Sequence, residues 1–176
     1  MAKLNQLQMS YVAAEDRMLL RVSSDANDEF RFWLTRRFVG LLNPQLTTAL
    51  VQQPRIQTQA NPEARRELLN FEHEKAVQQS DFETPFTAET PNLPLGEAPV
   101  LLTRFQLRQL DSEHVVLSIG NEQGVNLDLT LNSQLLHSLM ALLEQTLAAA
   151  DWQLASSSQQ TQNEPAHDLP DSRSVN

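Results

Sequence analysis

The sequence predicts an α+β fold made of two strand-strand-strand-helix units, in which antiparallel sheets pack against helices. One reason lies between Asp28 and Leu42, where apolar residues at every second position give way without a gap to apolar residues at helical spacing. These two spacings are typical of a strand and of an amphipathic helix. A second reason is that the same succession of patterns returns at an offset of 95 residues, which predicts an internal duplication of the fold.

The overlay of the two halves matches apolar positions more than identical residues. Its pairs are Leu20 with Val115, Val22 with Leu117, Phe30 with Val125, Phe32 with Leu127, Leu34 with Leu129, Thr35 with Thr130 and Leu41 with Leu136. Only three of these seven pairs are identical, Leu34 with Leu129, Thr35 with Thr130 and Leu41 with Leu136. The sequence therefore favours a duplication at the level of the fold and does not show a recent duplication of the sequence.

The first unit, about residues 4–52, is expected to contain three strands followed by a helix. The strand patterns cover 4–11, 17–22 and 30–34. The stretch between the second and third strands is rich in Ser, Asp and Asn, which favour turns. These two strands are therefore expected to form a hairpin, with Phe32 in the core.

The helix of the first unit is expected to begin after Thr35, because threonine is a good N-cap. Phe38, Leu41 and Leu42 recur at helical spacing and are expected to face the core. Asn43-Pro44 is expected to interrupt this helix, because proline has no N–H to donate and restricts the residue before it. A kinked continuation should reach Gln52.

A further helix and a long connector, 61–97, are expected between the units. Asn61-Pro62-Glu63 is typical of a helix N-terminus, and the helix should run over about 62–80 with Phe71 among its inward residues. Residues 81–97 contain three prolines and a glycine, too many for a regular element. A loop of this length is usually functional or pinned to the core.

The second unit, about residues 98–152, repeats the order of the first. Strands are expected at about 100–110, 115–119 and 125–129, and Asn132-Ser133 should cap a final helix that ends near residue 150. Residues 1–154 are expected to form a single α+β domain, because this length suffices for one sizeable core. Residues 155–176 contain almost no bulky apolar side chains and are expected to be a disordered tail.

Composition and charge limit the possible functions. The chain has 22 acidic and 13 basic residues, which give a net charge of -9 and argue against non-specific binding to nucleic acid or anionic membranes. Cysteine is absent, which excludes thiolate nucleophiles and Cys-based metal sites. The first ten residues lack the apolar segment of a signal peptide, and no stretch approaches the ~18 apolar residues of a membrane span. We therefore expect a cytoplasmic protein with no membrane contact.

Motifs for catalysis, cofactors and metals are missing from the sequence. The four histidines contain no pair at the i, i+4 spacing of a helical metal site, and the four glycines form neither a phosphate-binding loop nor a dinucleotide fingerprint. There is no Gly-x-Ser-x-Gly elbow. His137 is expected to be a packing residue whose hydrogen bonds are satisfied, and His73 is expected to lie on a solvated, charged helix face. We expect no enzymatic activity, no cofactor and no metal.

A sheet face rich in arginine is the candidate interaction surface. Alternation along the strands places Arg17, Arg21, Arg31 and Trp33 opposite the apolar face, and Arg104 and Arg108 would extend the patch if their strand were a neighbour. Arginines around an aromatic side chain suit single-stranded nucleic acid, whose bases stack and whose phosphates bind arginine.

Three other interpretations of the same face stay open. The arginines would pair with acidic neighbours, Glu29 or Asp128, across the strands. The connector at 81–97 would cover Trp33 and form a small second core. Alternatively, the face would be an oligomer interface, since Trp and Arg are enriched at such surfaces.

Two resemblances accompany these patterns. At 11–22 (YVAAEDRMLLRV), 32–39 (FWLTRRFV) and 132–143, the chain resembles a family of uncharacterised bacterial proteins of about this length, which implies a cytoplasmic bacterial protein and no particular activity. The resemblance covers residues 1–152. The arrangement of duplicated sheet-plus-helix units is also similar to the single-strand-binding folds of the Whirly and Pur-alpha type, as an architectural analogy only.

The functional expectation is a non-enzymatic, cytoplasmic protein-interaction or adaptor module. We expect a protein partner or self-association through a sheet edge or a sheet face. The alternative is a single-stranded nucleic-acid-binding protein that uses the arginine and tryptophan face.

Overall fold

The computed structural model describes residues 4–79 and 91–152. Antiparallel sheets combined with helices confirm the predicted α+β class. Most of the predicted connector and the predicted tail, at 80–90 and 155–176, lie outside the described residues. In chain order, the elements are β1 (Leu4–Val12), β2 (Arg17–Ser24), β3 (Glu29–Leu34), α1 (Arg36–Val51), α2 (Pro54–Gln57), α3 (Pro62–Gln79), β4 (Val100–Leu101), β5 (Arg104–Gln109), β6 (His114–Gly120), β7 (Asn126–Asn132) and α4 (Ser133–Ala150).

The first sheet has the strand order β1-β2-β3-β4. β1, β2 and β3 are antiparallel neighbours, and Leu20 lies opposite Met9 on one side and Phe32 on the other. Alternate residues of a strand share a face, so one face of the sheet is apolar and buried. Phe32 is fully buried there, as predicted.

The predicted strand at 100–110 is divided between two sheets, which corrects the sequence prediction. β4 pairs in parallel with β3 in the first sheet, and the N–H of Leu102 still donates to the carbonyl of Trp33, at 3.0 Å. The N–H of the next residue, Thr103, donates to Gly120 of the second sheet, also at 3.0 Å. No glycine or proline marks this change of sheet, so alternation alone could not reveal it.

The second sheet has the order β5-β6-β7, with both pairs antiparallel. The predicted turn at 121–124 joins β6 to β7. Asn121 Oδ1 accepts hydrogen bonds from the N–H groups of Gln123 (3.0 Å) and Val125 (3.1 Å). Gly124 has a φ of 96°, a left-handed conformation that glycine adopts without steric cost.

The two long helices begin at the predicted caps. Thr35 Oγ1 accepts from the N–H of Phe38 at 3.2 Å, and Asn132 Oδ1 accepts from the N–H of Leu135 at 2.9 Å. Each cap therefore satisfies one of the N–H groups that a helix start leaves without an intrahelical partner.

The predicted interruption at Asn43-Pro44 is wrong, because α1 continues through Pro44. A proline inside a helix costs about 3 kcal/mol. Leu42, Leu46 and Leu50 lie on one buried face that spans the proline, and each contributes about 1.5–3 kcal/mol. Packing therefore outweighs the local cost.

Two residues that were expected to face the core are exposed. Leu41 is 55% exposed and Phe71 is 59% exposed. Leu41 lies beside the stripe of buried residues that faces the core from α1. α3 packs against α4, and Ala76 is its buried residue, so Phe71 points away from that contact. Helical spacing alone does not say which of two neighbouring stripes is buried.

Residues of both units form one hydrophobic core cluster. α1 reaches β5 of the second unit, where the rings of Phe38 and Phe105 meet edge to face at 5.4 Å. α4 packs against β1 of the first unit, and the ring of Trp152, just after α4, meets that of Tyr11 at 5.7 Å. Each unit's long helix thus packs on the first strand of the other unit.

The correspondence between the two units lies at an offset of 97, not the 95 of the sequence overlay. The cross-strand pair Leu20 and Phe32 corresponds to Leu117 and Leu129, and the N-cap Thr35 corresponds to Asn132. A shift of two residues keeps every strand residue on its own face, so periodicity could not detect the error. The units share their order of elements, and a duplication stays a prediction.

Candidate functional site

The outer face of the first sheet carries Arg17, Arg21, Arg31 and Trp33, on the side opposite the core. We call this surface the first outer face. Arg21 lies directly opposite Arg31 on the neighbouring strand. Like charges placed opposite each other destabilise a sheet, so this pair requires an anion nearby.

Glu29 supplies that anion. Its Oε1 accepts from Arg21 Nε at 2.8 Å and from Arg31 Nε at 2.6 Å, and its side chain has no exposed area. Burial raises the pKa of the Glu29 carboxyl, but the hydrogen bonds from Arg21 and Arg31 together outweigh this effect and hold the pKa below its ordinary value. The interpretation that the arginines pair with Glu29 is confirmed for Arg21 and Arg31, whereas Arg17 Nη1 lies 3.9 Å from Glu15 Oε2.

Both guanidinium groups have further partners. Arg21 Nη1 donates to Gln8 Oε1 on β1 at 3.1 Å, and Arg31 Nη1 donates to the carbonyl of Glu97 at 3.3 Å. The cluster therefore links β1, β2, β3 and the described end of the connector. Donors engaged in this way are less available to phosphate groups, which weakens the case for nucleic acid on this face.

Trp33 is half-buried on the first outer face. Its neighbours across the strands are Leu19 on β2 and Leu101 on β4. That the connector covers Trp33 stays a prediction, and what the described residues show is a contact of the connector with the start of β3. Asn92 accepts from the N–H of Glu29 at 2.8 Å, but residues 80–90 lie outside the described ranges.

Arg104 and Arg108 lie on β5 of the second sheet, so they do not extend the first outer face. This corrects the conditional prediction that their strand is a neighbour. Arg104 Nη2 donates to the carbonyl of Asn121, and Arg108 is exposed opposite Val116. Asp128, the other acidic partner considered, accepts instead from Asn126 Nδ2 at 3.2 Å.

The outer edge of β1 contains none of the site residues that the sequence predicted. β1 is the terminal strand of its sheet among the described residues. Its nine residues, LNQLQMSYV, include no charged residue and no proline. That composition was visible in the sequence, but its position at a sheet edge required the strand order.

The histidines take positions that differ in part from those expected. His137 is 1% exposed, as expected of a packing residue, but the expectation that its hydrogen bonds are satisfied is wrong, because neither ring nitrogen has a partner in the described part of the chain. His73, expected on a solvated face, instead packs towards α4, with its ring 5.7 Å from that of His137 and its Nε2 3.6 Å from Glu144 Oε2.

Within 4–79 and 91–152, no group of three or more potential ligand side chains could hold a metal ion. None of the helices in those ranges is long and apolar enough to cross a membrane.

No family model, no curated protein and no solved structure shows a significant match to this chain. The two resemblances noted in the sequence therefore gain no support from these comparisons.

Proposed function

We propose that this chain is a non-enzymatic cytoplasmic interaction module that pairs with a second copy of itself along the edge of β1. The observation that carries this proposal is the uncharged, proline-free composition of a nine-residue edge strand. An edge strand presents a row of unpaired N–H and C=O groups, and proteins usually protect such an edge with charged residues or proline. Neither kind of protection is present on β1.

Charge supports the same choice of surface. Two copies with a net charge of -9 each repel one another at long range. The β1 edge adds no charge of its own to this repulsion. It is therefore a place where two copies can approach at low electrostatic cost.

Symmetry gives the geometry of the pairing. Two antiparallel β1 strands related by a twofold axis continue one sheet across both copies. Leu7, Met9 and Tyr11, which are partly buried against the core, then share the same side of the continuous sheet in both copies. Pairing covers more of their apolar area.

The test is the oligomeric state of an edge variant. Asn5 and Ser10 are the exposed residues of β1, so the double variant Asn5→Lys, Ser10→Lys places two charges on the edge. Sedimentation equilibrium is expected to show a dimer for the unmodified chain and at least a tenfold weaker association for the variant.

The matched control carries the same charge change elsewhere. Gln45 on α1 and Asn70 on α3 are exposed, and Gln45→Lys, Asn70→Lys is expected to dimerise like the unmodified chain. A monomeric unmodified chain at ~100 μM would contradict the proposal, since it implies an association weaker than about 5.5 kcal/mol. Equal weakening by the control pair would show that net charge, not the edge, controls association.

A further inference from the structure

A cavity of about 470 Å³ lies between α2, α3 and the beginning of α4. Its walls include Gln53, Arg55, Glu72, Lys75, Ser133 and His137. The volume falls within the range of about 300–1,000 Å³ that is typical of small-molecule sites. None of these residues belongs to the β1 edge or to the first outer face.

Two of the lining residues have buried nitrogen atoms without hydrogen-bond partners in the described part of the chain. Both ring nitrogens of His137 and the Nε2 of Gln53 are in this state, and His137 is 1% exposed. Ser133 Oγ donates to Gln53 Oε1 at 2.9 Å, which fixes the orientation of the amide. Buried polar groups in proteins are nearly always hydrogen-bonded, so a ligand that accepts hydrogen bonds would satisfy the Gln53 amide and the single N–H of the neutral His137 ring.

The electrostatic character of the cavity favours an anion. α4 has 18 residues and no acidic residue in its first turn, so the positive end of its dipole is not compensated within the helix. The N–H groups of Ser133 and Gln134 belong to the first turn, where a helix supplies no partner of its own.

Side-chain charges in the walls are of both signs. Arg55 Nη1 is 3.0 Å from Glu72 Oε1, so these two charges neutralise each other. Lys75 has no ion pair among the described residues. Glu113 is the opposing charge, and it is exposed at the rim. The helix start and the exposed Lys75 are therefore the positive groups that remain available to a negative charge in the cavity.

We propose that this cavity binds a small anion that carries a phosphate or a carboxylate group. Gln53 Nε2, the first turn of α4 and Lys75 hold the anionic group, and His137 lies beside it in the wall. The unpartnered nitrogens of Gln53 and His137 have almost no accessible area, so binding requires that these side chains rotate towards the cavity that they line.

The test is a titration at constant ionic strength, with inorganic phosphate in one arm and succinate in the other. Saturable binding in either arm, with a shift of the His137 imidazole signals in NMR spectra, is the expected result, and the tighter arm identifies the anionic group. Gln53→Glu keeps the acceptor for Ser133 but replaces the free donor by a carboxylate. It is expected to weaken binding at least tenfold.

Two further variants keep the test decisive. Gln45→Glu makes the same change on the exposed surface of α1 and is expected to bind like the unmodified chain. Lys75→Met removes the unpaired charge at an exposed position and is expected to weaken binding several-fold even if Gln53→Glu does not fold. Absence of saturable binding up to ~10 mM in both arms, an affinity weaker than about 3 kcal/mol, overturns the proposal. The proposal is also overturned if the Lys75→Met and Gln53→Glu variants both bind the anion as tightly as the unmodified chain does.

Discussion

The two strand-strand-strand-helix units share their apolar core positions and differ in their polar groups. Phe32 in the first unit corresponds to Leu129 in the second, and both are buried. By contrast, the buried Glu29 corresponds to the exposed Asn126. On the helices, Gly40 of α1 corresponds to the buried His137 of α4.

This difference shows that the apolar core residues, which stabilise the fold, are shared by the two units, whereas the polar residues, which give each unit its own surface, are not. A core position needs an apolar side chain of suitable volume on the correct face, and both units meet that requirement with different residues. Polar groups are under no such shared requirement. The first unit has an ion cluster on its outer face, whereas the second has a buried histidine and a cavity at the start of its helix.

The largest expected effect tests whether the two units contribute equally to the shared core. Phe32→Ala should lower the free energy of unfolding by about 3–5 kcal/mol and Leu129→Ala by about 2–5 kcal/mol, because both leave a cavity in the same core. Urea unfolding followed by circular dichroism measures both. Thr130→Ala, on the exposed side of β7, should change stability by less than ~0.5 kcal/mol. A small effect of Phe32→Ala would place that side chain outside the core.

The second prediction concerns His137, which occupies the position in the second unit that corresponds to Gly40 in the first. Burial, and then the neighbouring His73, lower the pKa of His137 from 6.5 to about 4, while Glu72 acts in the opposite direction. Between these two values the unfolded chain binds the proton more readily than the folded chain, so stability falls as the pH falls from 6.5 towards 4. The loss is on the order of 3 kcal/mol.

A variant isolates this contribution. His137→Leu removes the proton-binding group together with two unpartnered nitrogens, and at pH 7 it should be nearly neutral or stabilising. Between pH 7 and pH 4.5 it should lose less stability than the unmodified chain, by roughly 2 kcal/mol or more. Parallel urea curves at the two pH values measure the difference. Identical losses in both proteins would show that His137 is not the group that titrates.

The third prediction compares the buried Glu29 with the exposed Asn126, which occupies the corresponding position in the second unit. Glu29→Ala leaves Arg21 and Arg31 facing each other without their anion. Breaking a fully buried ion pair costs about 3–5 kcal/mol, but these arginine side chains are 26% and 28% exposed, so solvent screening reduces the expected cost to about 2 kcal/mol.

The controls for this cluster lie in both units. Asn126→Ala, at the corresponding position, is expected to change stability by less than ~0.5 kcal/mol. Adding Arg31→Met to Glu29→Ala should recover part of the loss, because it removes the repulsion between the arginines. If Glu29→Ala and Asn126→Ala have the same small effect on stability, Glu29 does not stabilise the sheet by neutralising Arg21 and Arg31.

The fold class was predictable because it depends on local periodicity. The strand-to-helix change at Thr35 and the cap at Asn132 follow from neighbouring residues, and both were confirmed. The offset between the units was not predictable in this way. Identity at Leu34/Leu129 and Thr35/Thr130 favoured 95, whereas strand pairing places Leu131 and Asn132 at those positions.

The sites depend on contacts between distant residues, which periodicity does not contain. Pairing of Glu29 with Arg21 and Arg31 was foreseeable because all three lie on one hairpin. The separation of Arg104 from that cluster was not, since the chain changes sheet between Leu102 and Thr103 without a turn residue. The cavity at α4 joins Gln53 to Ser133, 80 residues away, and no sequence pattern marks that contact.

The smallest effect is expected when single-stranded nucleic acid is added to the protein, because we expect no binding to the first outer face. Single-strand binding needs stacking on Trp33 and free arginine donors for phosphates. Arg21 and Arg31 are held by Glu29, Arg104 and Arg108 lie on the other sheet, and the net charge of -9 repels a polyanion. A fluorescence titration with mixed single-stranded oligonucleotides at moderate salt should therefore show no saturable change, and Trp33→Ala should behave the same way. Saturable binding that weakens steeply with salt, with a log-log slope near -0.7 per phosphate contacted, and that is lost in Trp33→Ala would instead establish the first outer face as a single-strand-binding surface.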